Sequence, residues 1–188
     1  GGRYRTRGAQ ASGALRNRQK ECRMDAKELI RGRKLLIVDD EEDVLEELID
    51  LLDMCKIDTA TSFEDGKTRL EEGQYDVAIL DIMGVNGFKL LEIAKKQKVP
   101  ALMLTAHSLT EESLKRSAQD GAAYFAPKEE MQDIHLFVAD VIEASDKKMN
   151  SWEKWFDRFA SFYDRRFHGT HWREQEKKFW DKMVSSAT

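Results

Sequence analysis

Apolar residues follow two alternating patterns between residues 34 and 145. Short runs that are almost entirely apolar are typical of strands covered on both faces, as in a parallel sheet. Between these runs, apolar residues recur every three or four positions, which is typical of helices that pack on one face. The pattern predicts strands at Lys34–Val38, Ile57–Thr61, Asp76–Leu80, Val99–Leu104 and Ala122–Pro127, and helices at about 44–55, 63–72, 88–96, 110–120 and 131–144.

Strands that alternate with helices form a parallel sheet with helices on both faces, because each helix carries the chain back across the sheet before the next strand begins. The predicted fold class is therefore α/β, with a doubly wound, five-stranded parallel sheet. We adopt for it the flavodoxin-like strand order 2-1-3-4-5, which is common in such sheets but which the pattern by itself does not specify.

Aromatic residues are concentrated at the C-terminal end of the chain. All four tryptophans and ten of the 17 aromatic side chains lie beyond residue 150. From Trp152 to Phe167 they recur at helical spacing, Gly169 interrupts the pattern, and Trp172 to Met183 resume it. We predict a polar linker followed by a helical hairpin with an apolar inner face and a basic outer face.

Three roles for this hairpin stay open: packing on itself or on the sheet domain, dimerisation or docking to a partner protein, and peripheral membrane association, which the interspersed acidic residues disfavour. About 40 residues are too few for the usual DNA-binding effectors. His168 and His171 form an HxxH pattern without a third ligand, so we interpret them as loop residues rather than as a metal site.

The distribution of charged residues divides the chain into three segments. The formal net charge is −4. Residues 1–23 hold seven basic and one acidic side chain, whereas residues 24–145 hold 14 basic and 27 acidic ones. An acidic body is a poor nucleic-acid binder. We interpret residues 1–23 as a disordered or non-native leader with Met24 as the true first residue, 24–145 as the main domain and 146–188 as the extension. A nucleic-acid-binding arm is the alternative for the leader.

The composition of the chain indicates the cellular compartment in which we expect it. No apolar run approaches the about 20 residues of a membrane span, and nothing resembles a secretory signal. Cys22 and Cys55 have neither metal-ligand spacing nor the pattern of a disulfide framework. A reducing cytoplasm is the expected location.

Chemically active side chains follow four of the five predicted strands. Because the carboxyl ends of neighbouring parallel strands meet at one edge, about 5 Å apart, we expect these side chains to converge. Crowded carboxylates repel one another unless a cation neutralises them, and Mg²⁺ prefers such oxygen ligands. The residues are Asp39, Asp40 and Glu41 after strand one, Asp81 after strand three, Thr105 after strand four and Lys128 after strand five.

The segments LLIVDDEEDV, DVAILDIMGVNG, ALMLTAHS and GAAYFAPK, taken together and in this order, resemble the receiver domain of two-component response regulators, of the chemotaxis-receiver type. The resemblance covers roughly residues 32–145. Each motif alone is unspecific, whereas the ordered set is specific. It implies that Asp81 accepts a phosphoryl group, with Thr105 and Lys128 assisting, and that Asp39, Asp40, Asp81 and the Met83 carbonyl hold Mg²⁺.

The resemblance also implies a switch. Thr105 would follow the new phosphoryl oxygens, and Phe125, three residues before Lys128, would move into the vacated space. Core packing is the alternative role for Phe125. The implied donor is a histidine kinase or a phosphotransfer protein, and the product acyl phosphate is labile. The chain would be a phosphoacceptor that assists its own reaction rather than an enzyme.

Two departures from the family are visible: Glu129 follows Lys128 where proline is usual, and the stretch from Asp81 to Thr105 is short. The leading hypothesis is a receiver that signals to an unknown downstream protein without a DNA-binding effector, a homodimer being one form of output. The alternative is a degenerate receiver that acts as a constitutive scaffold through its aromatic helices. A phosphohydrolase is disfavoured, because Met83 stands where its second catalytic carboxylate is needed.

Overall fold

The computed structural model describes residues 6–106 and 110–185, with side chains from residue 15 onward. The predicted alternation of strands and helices is confirmed. The elements in chain order are α1 (Thr6–Ile30), β1 (Lys34–Val38), α2 (Glu42–Leu51), β2 (Lys56–Ala60), α3 (Phe63–Glu72), β3 (Val77–Asp81), α4 (Gly87–Lys96), β4 (Ala101–Thr105), α5 (Glu111–Gln119), β5 (Tyr124–Pro127), a 3₁₀ helix (Lys128–Asp133), α6 (Ile134–Asp146), α7 (Ser151–Arg166), α8 (His171–Glu174) and α9 (Lys177–Ser185).

The five strands form one parallel sheet in the order β2-β1-β3-β4-β5, which confirms the fold class and the adopted order. The central strands β3 and β4 are buried along their whole length, as their continuous apolar runs predict. β4 and β5 begin two residues later than predicted. The amides of Val99 and Ala122 are used by the ends of the preceding helices, where they donate to the carbonyls of Ala94 and Ser117.

Helix α1 departs from the sequence-based expectation. We expect disorder up to residue 23, whereas the structure describes a helix from Thr6 onward. Its C-terminal end packs on the rest of the structure: Ala26 and Ile30 are buried, and Arg23 lies 3.0 Å from Asp133. Residues 15–25 are exposed, so this part of the helix shows no apolar periodicity that the sequence could have revealed. Residues 1–5 lie outside the described part, and the proposed domain boundaries stay a prediction.

Helix α6 is covered on nearly all sides. Ten of its 13 residues are buried, which is typical of a helix that is apolar all round. It packs on the sheet with one face, on α1 with another and on α7 with a third. The receiver-like body therefore extends at both ends into helices that seal α6 from solvent.

The C-terminal extension, helices α7 to α9, packs on β5. The indole N–H groups of Trp152 and Trp155 donate to the carbonyls of Ala122 and Phe125 at 3.0 and 2.6 Å. All four tryptophans are buried, and their rings form one connected aromatic cluster within the extension. Of the three roles left open, the structure describes the first, packing on the sheet domain. None of the described helices is both long and apolar enough to cross a membrane.

Candidate functional site

Asp39 stands directly after β1, where the strand reaches the carboxyl edge of the sheet. The residue is 1% exposed. Oδ1 accepts a hydrogen bond from the Glu41 amide at 3.0 Å, which orients the carboxylate. Oδ2 is buried without a hydrogen bond of normal geometry, and its partner is the Lys128 ammonium at 2.7 Å. Burial raises the pKa of Asp39, against the opposing effects of Lys128 and the Glu41 amide.

Asp81 is the last residue of β3 and is also buried. Its Oδ2 accepts a hydrogen bond from the Gly84 amide at 2.8 Å, and its Oδ1 lies 3.2 Å from Lys128 Nζ. The loop that follows is tight, because a Cβ on Gly87 would lie 2.2 Å from the Asp81 carbonyl oxygen. This close approach of the backbone holds the Asp81 carboxylate at the edge of the sheet.

Asp40 is exposed and completes the acidic group. Carboxylate oxygens of Asp39, Asp40 and Asp81 lie within 4.8 Å of one another. The loop backbone sits directly against Asp40: a Cβ on Gly84 would come within 1.8 Å of its Oδ1. Any larger residue at position 84 would therefore displace the Asp40 carboxylate from this place.

Lys128, the first residue after β5, brings the carboxylates together. Its ammonium lies within 3.2 Å of Asp39, Glu41 and Asp81. Burial lowers the pKa of Lys128, but hydrogen bonds to Asp39 and Glu41 and the charge of Asp81 outweigh this effect and raise the pKa above its ordinary value. The lysine is therefore charged at all physiological pH values.

The residues fit a divalent cation. Three aspartates and one ammonium leave an excess of negative charge in a largely buried cleft, which favours a further cation. Asp39, Asp40 and Asp81 offer hard oxygen ligands of the kind that Mg²⁺ prefers. Among the described residues, these three form the only group of three or more potential metal ligands. The Met83 side chain is 65% exposed, and the ligand role of its carbonyl stays a prediction.

The two predicted switch residues lie on neighbouring strands. Thr105 ends β4 and is 1% exposed, one residue beyond the partner of Asp81 in the sheet. Phe125 is fully buried in β5, and the ring of Tyr163 covers it at a centroid distance of 6.0 Å. The last residues of the ALMLTAHS motif, 107 and 108, lie outside the described residues. The switch roles stay predictions.

His168 and His171 do not point to a metal site. His168 is exposed and has a positive φ of 58° in the turn before α8. His171 opens α8, and its Nε2 lies 2.8 Å from Glu111 Oε1 on α5. The second histidine therefore ties the extension to the sheet domain, a contact that the HxxH spacing does not reveal.

A buried polar group that we do not predict links β5, α6 and α7. Asp140 accepts hydrogen bonds from the Tyr124 hydroxyl at 2.7 Å and from Arg158 at 2.8 and 3.0 Å. Burial, followed by the charge of Asp140, raises the pKa of Tyr124. The available signal was an aspartate in the middle of a helix whose neighbouring residues, from Leu136 to Ile142, are otherwise all apolar.

Comparisons with known proteins agree with this geometry. The family model of the response regulator receiver domain matches residues 35–139. Two-component response regulator ARR18 of Arabidopsis thaliana is 36% identical over 83 residues, which cover 41% of this chain and 13% of that protein. Two-component response regulator ARR10 of the same plant is 28% identical over 127 residues, 63% of this chain and 23% of that protein. The chain therefore spans less than a quarter of either relative's length.

Solved structures show the same fold. A CheY-like response regulator receiver domain protein from Methanospirillum hungatei is 23% identical, with a TM-score of 0.57 over 62% of this chain and 98% of that one. NtrX from Brucella abortus is 26% identical, with a TM-score of 0.56 over 62% of this chain and 28% of that one. With a family match that spans more than half of its residues, and with an acidic cleft closed by a lysine at the edge of the sheet, the chain belongs to the response regulator receiver domain family of two-component signalling.

Proposed function

We propose that this receiver accepts a phosphoryl group on Asp81 from a histidine kinase or a phosphotransfer protein, with Mg²⁺ as cofactor. The observation that carries the proposal is the Lys128 ammonium, which joins the buried carboxylates of Asp39 and Asp81 at the carboxyl edge of the sheet. The output is protein–protein contact through the C-terminal helices rather than DNA binding by these residues.

In the proposed transfer, a carboxylate oxygen of Asp81 attacks phosphorus while the bond from phosphorus to the donor imidazole breaks in line. The electron pair of that bond stays on the imidazole. Asp39, Asp40 and Asp81 would hold Mg²⁺, which when bound neutralises charge on the transferred oxygens. Lys128 keeps its charge throughout because its pKa is raised, so that it can pair first with the carboxylate and then with the phosphoryl oxygens. Thr105 supplies a hydroxyl donor for the same oxygens.

The chain would thus be a phosphoacceptor that assists its own phosphorylation and dephosphorylation. The product acyl phosphate is hydrolysed in water, so the signal is reversible. No separate substrate is turned over.

Incubation with an acyl phosphate donor and Mg²⁺ tests this function. Wild-type protein should gain one phosphoryl group, and Asp81→Ala should gain none. Equal incorporation into both would refute Asp81 as the acceptor.

A second candidate function is a constitutive scaffold. The observation in its favour is that the extension is packed on the sheet domain through buried indole hydrogen bonds, which fix its position on β5. A scaffold needs no cation, so tryptophan emission should not change when Mg²⁺ and the acyl phosphate donor are added. A Mg²⁺-dependent phosphorylation would decide in favour of the first function.

A further inference from the structure

A groove runs along the surface of the C-terminal extension, between α7, α8 and α9. Its volume is about 490 Å³, and every residue that lines it belongs to these three helices. The floor is apolar and is formed by Phe156, Trp180 and Val184. Trp180 is buried, whereas Phe156 and Val184 are only half-buried, so apolar surface reaches the solvent here.

The rim of the groove is acidic, although the sequence predicts a basic outer face for these helices. Glu153 and Asp157 stand one turn apart on α7, Glu174 lies on α8, and all three are exposed. Glu174 accepts a hydrogen bond from the Thr170 hydroxyl at 2.7 Å. None of the three carboxylates is in an ion pair with another residue that the structure describes. Like charges one turn apart destabilise a helix, and a cation bound between them would remove this cost.

The basic residues around the groove already have acidic partners. Two of them, on α7, turn toward carboxylates of α6, and the other two bind carboxylates within the extension. The chain therefore leaves a net negative charge on the rim. The four pairs are Lys154–Glu143, Arg158–Asp140, Arg173–Asp164 and Lys177–Asp181.

The geometry of the rim excludes a single metal ion as the ligand. Within residues 6–106 and 110–185, only the aspartates of the receiver site bring three ligand atoms within 4.8 Å of one another. A long basic side chain fits better, because its aliphatic stem packs on apolar surface while its charged head reaches a carboxylate. Aromatic rings also attract such cations. The exposed rim favours a polypeptide over a small molecule, which binds mostly buried in an enclosed pocket.

We propose that the groove between α7, α8 and α9 is a docking surface for a basic, amphipathic segment of a partner protein. Lysine or arginine side chains of that segment pair with Glu153, Asp157 and Glu174, and its apolar side chains cover Phe156 and Val184. Amphipathic helices bind apolar grooves in this way, and complementary charge selects the partner. The inference rests on the part of the proposed function that assigns the output to the C-terminal helices, and it requires no phosphoryl group on Asp81.

Fluorescence anisotropy of a labelled peptide tests this surface. The probe is an amphipathic helical peptide of leucine and lysine, and unphosphorylated full-length protein is titrated into it. We expect saturable binding of one peptide per chain that weakens as salt is added. Two altered peptides, with glutamate in place of lysine or serine in place of leucine, should bind about tenfold more weakly or less.

The double variant Glu153→Gln with Asp157→Asn removes two rim charges without changing side-chain size. Its affinity for the probe should fall about 2- to 30-fold, the range expected for two exposed ion pairs. The matched control is Glu46→Gln with Asp50→Asn, because these residues are also exposed and one turn apart, on α2. This control should change the affinity by less than about twofold. Glu174→Gln is a second, single-site variant of the rim and should also weaken binding.

The outcomes distinguish this inference from the phosphorylation of Asp81. If wild-type protein accepts phosphate on Asp81 but does not bind the probe, the inference alone is overturned. Probe binding without phosphorylation would overturn only the acceptor role. An equal loss of affinity in the α2 control, unchanged affinity in both rim variants, or equal binding of the glutamate peptide would also overturn the docking surface. Displacement of the probe by putrescine at equal affinity would identify the occupant as a small amine and overturn the assignment to a polypeptide.

Discussion

The ion pair between Asp140 and Arg158 connects the extension to the receiver, and its removal has a calculable cost. The Asp140 side chain is 10% exposed and that of Arg158 is 30% exposed. Breaking a buried pair by removing one partner costs roughly 3–5 kcal/mol, because an uncompensated charge stays behind. The partial exposure of Arg158 reduces this figure, so we expect Arg158→Met to lower the free energy of unfolding by about 2 kcal/mol.

Asp140→Asn removes the buried charge but keeps an acceptor for the Tyr124 hydroxyl. In the Arg158→Met background, Asp140→Asn should therefore lower the free energy of unfolding only slightly. The double-mutant cycle should then give a coupling energy of about 1–2 kcal/mol. Urea unfolding followed by tryptophan emission and by far-ultraviolet circular dichroism measures both the extension and the whole fold. The exposed pair Lys177–Asp181 is the matched control, with an expected coupling below about 0.5 kcal/mol. Strict additivity of the two changes would refute a coupled buried pair.

Three further predictions concern other parts of the chain. Gly84→Ala places a Cβ within 1.8 Å of Asp40 Oδ1, so Mg²⁺ affinity, measured by calorimetry, should fall about tenfold or more. Lys147 and Lys154 lower the pKa of Glu143 to about 2. Because the folded-state pKa is depressed, the ionised Glu143 stabilises the fold fully above pH about 4.5, and this stabilisation is lost as the pH falls toward 2. The contribution is about 1 kcal/mol and should be absent in Glu143→Gln. Burial raises the pKa of Cys55 to about 11, so at pH 8 iodoacetamide should modify this thiol far more slowly than it does in urea-unfolded protein.

Each of these three predictions would be contradicted by a specific result. Unchanged Mg²⁺ affinity in Gly84→Ala would mean that Asp40 does not contribute to the cation site. If wild type and Glu143→Gln lost stability in parallel as the pH falls, this result would contradict a stabilising ion pair between Glu143 of α6 and Lys154 of α7. Equal alkylation rates for Cys55 in the folded and unfolded protein would contradict its half-buried position and its raised pKa.

The five strands could be predicted from local pattern alone, whereas their order in the sheet was adopted from a common fold. The runs at β3 and β4 are apolar on both faces, and the ends of the predicted strands differ from the observed ones by at most two residues. The meeting of Asp39, Asp81 and Lys128 could be predicted too, because the carboxyl ends of parallel strands share one edge.

Features that depend on non-local packing could not be predicted. The helical spacing of the aromatics indicates that α7 has an apolar face, but nothing in it specifies β5 as the surface that covers this face. Asp140 illustrates the same limit: its partners lie 16 and 18 residues away in the chain, on two other elements. Residues 15–25 of α1 are exposed, so this part of the helix carries no apolar periodicity from which the sequence could predict it.

The most direct test of the central claim is chemical trapping of the phosphorylated residue. Borohydride reduces an aspartyl phosphate to homoserine, and peptide mass mapping then locates the modified position. After treatment with an acyl phosphate and Mg²⁺, homoserine should be found at position 81 and nowhere else. Homoserine at position 39 or 40, or phosphate incorporation without any homoserine, would contradict the account.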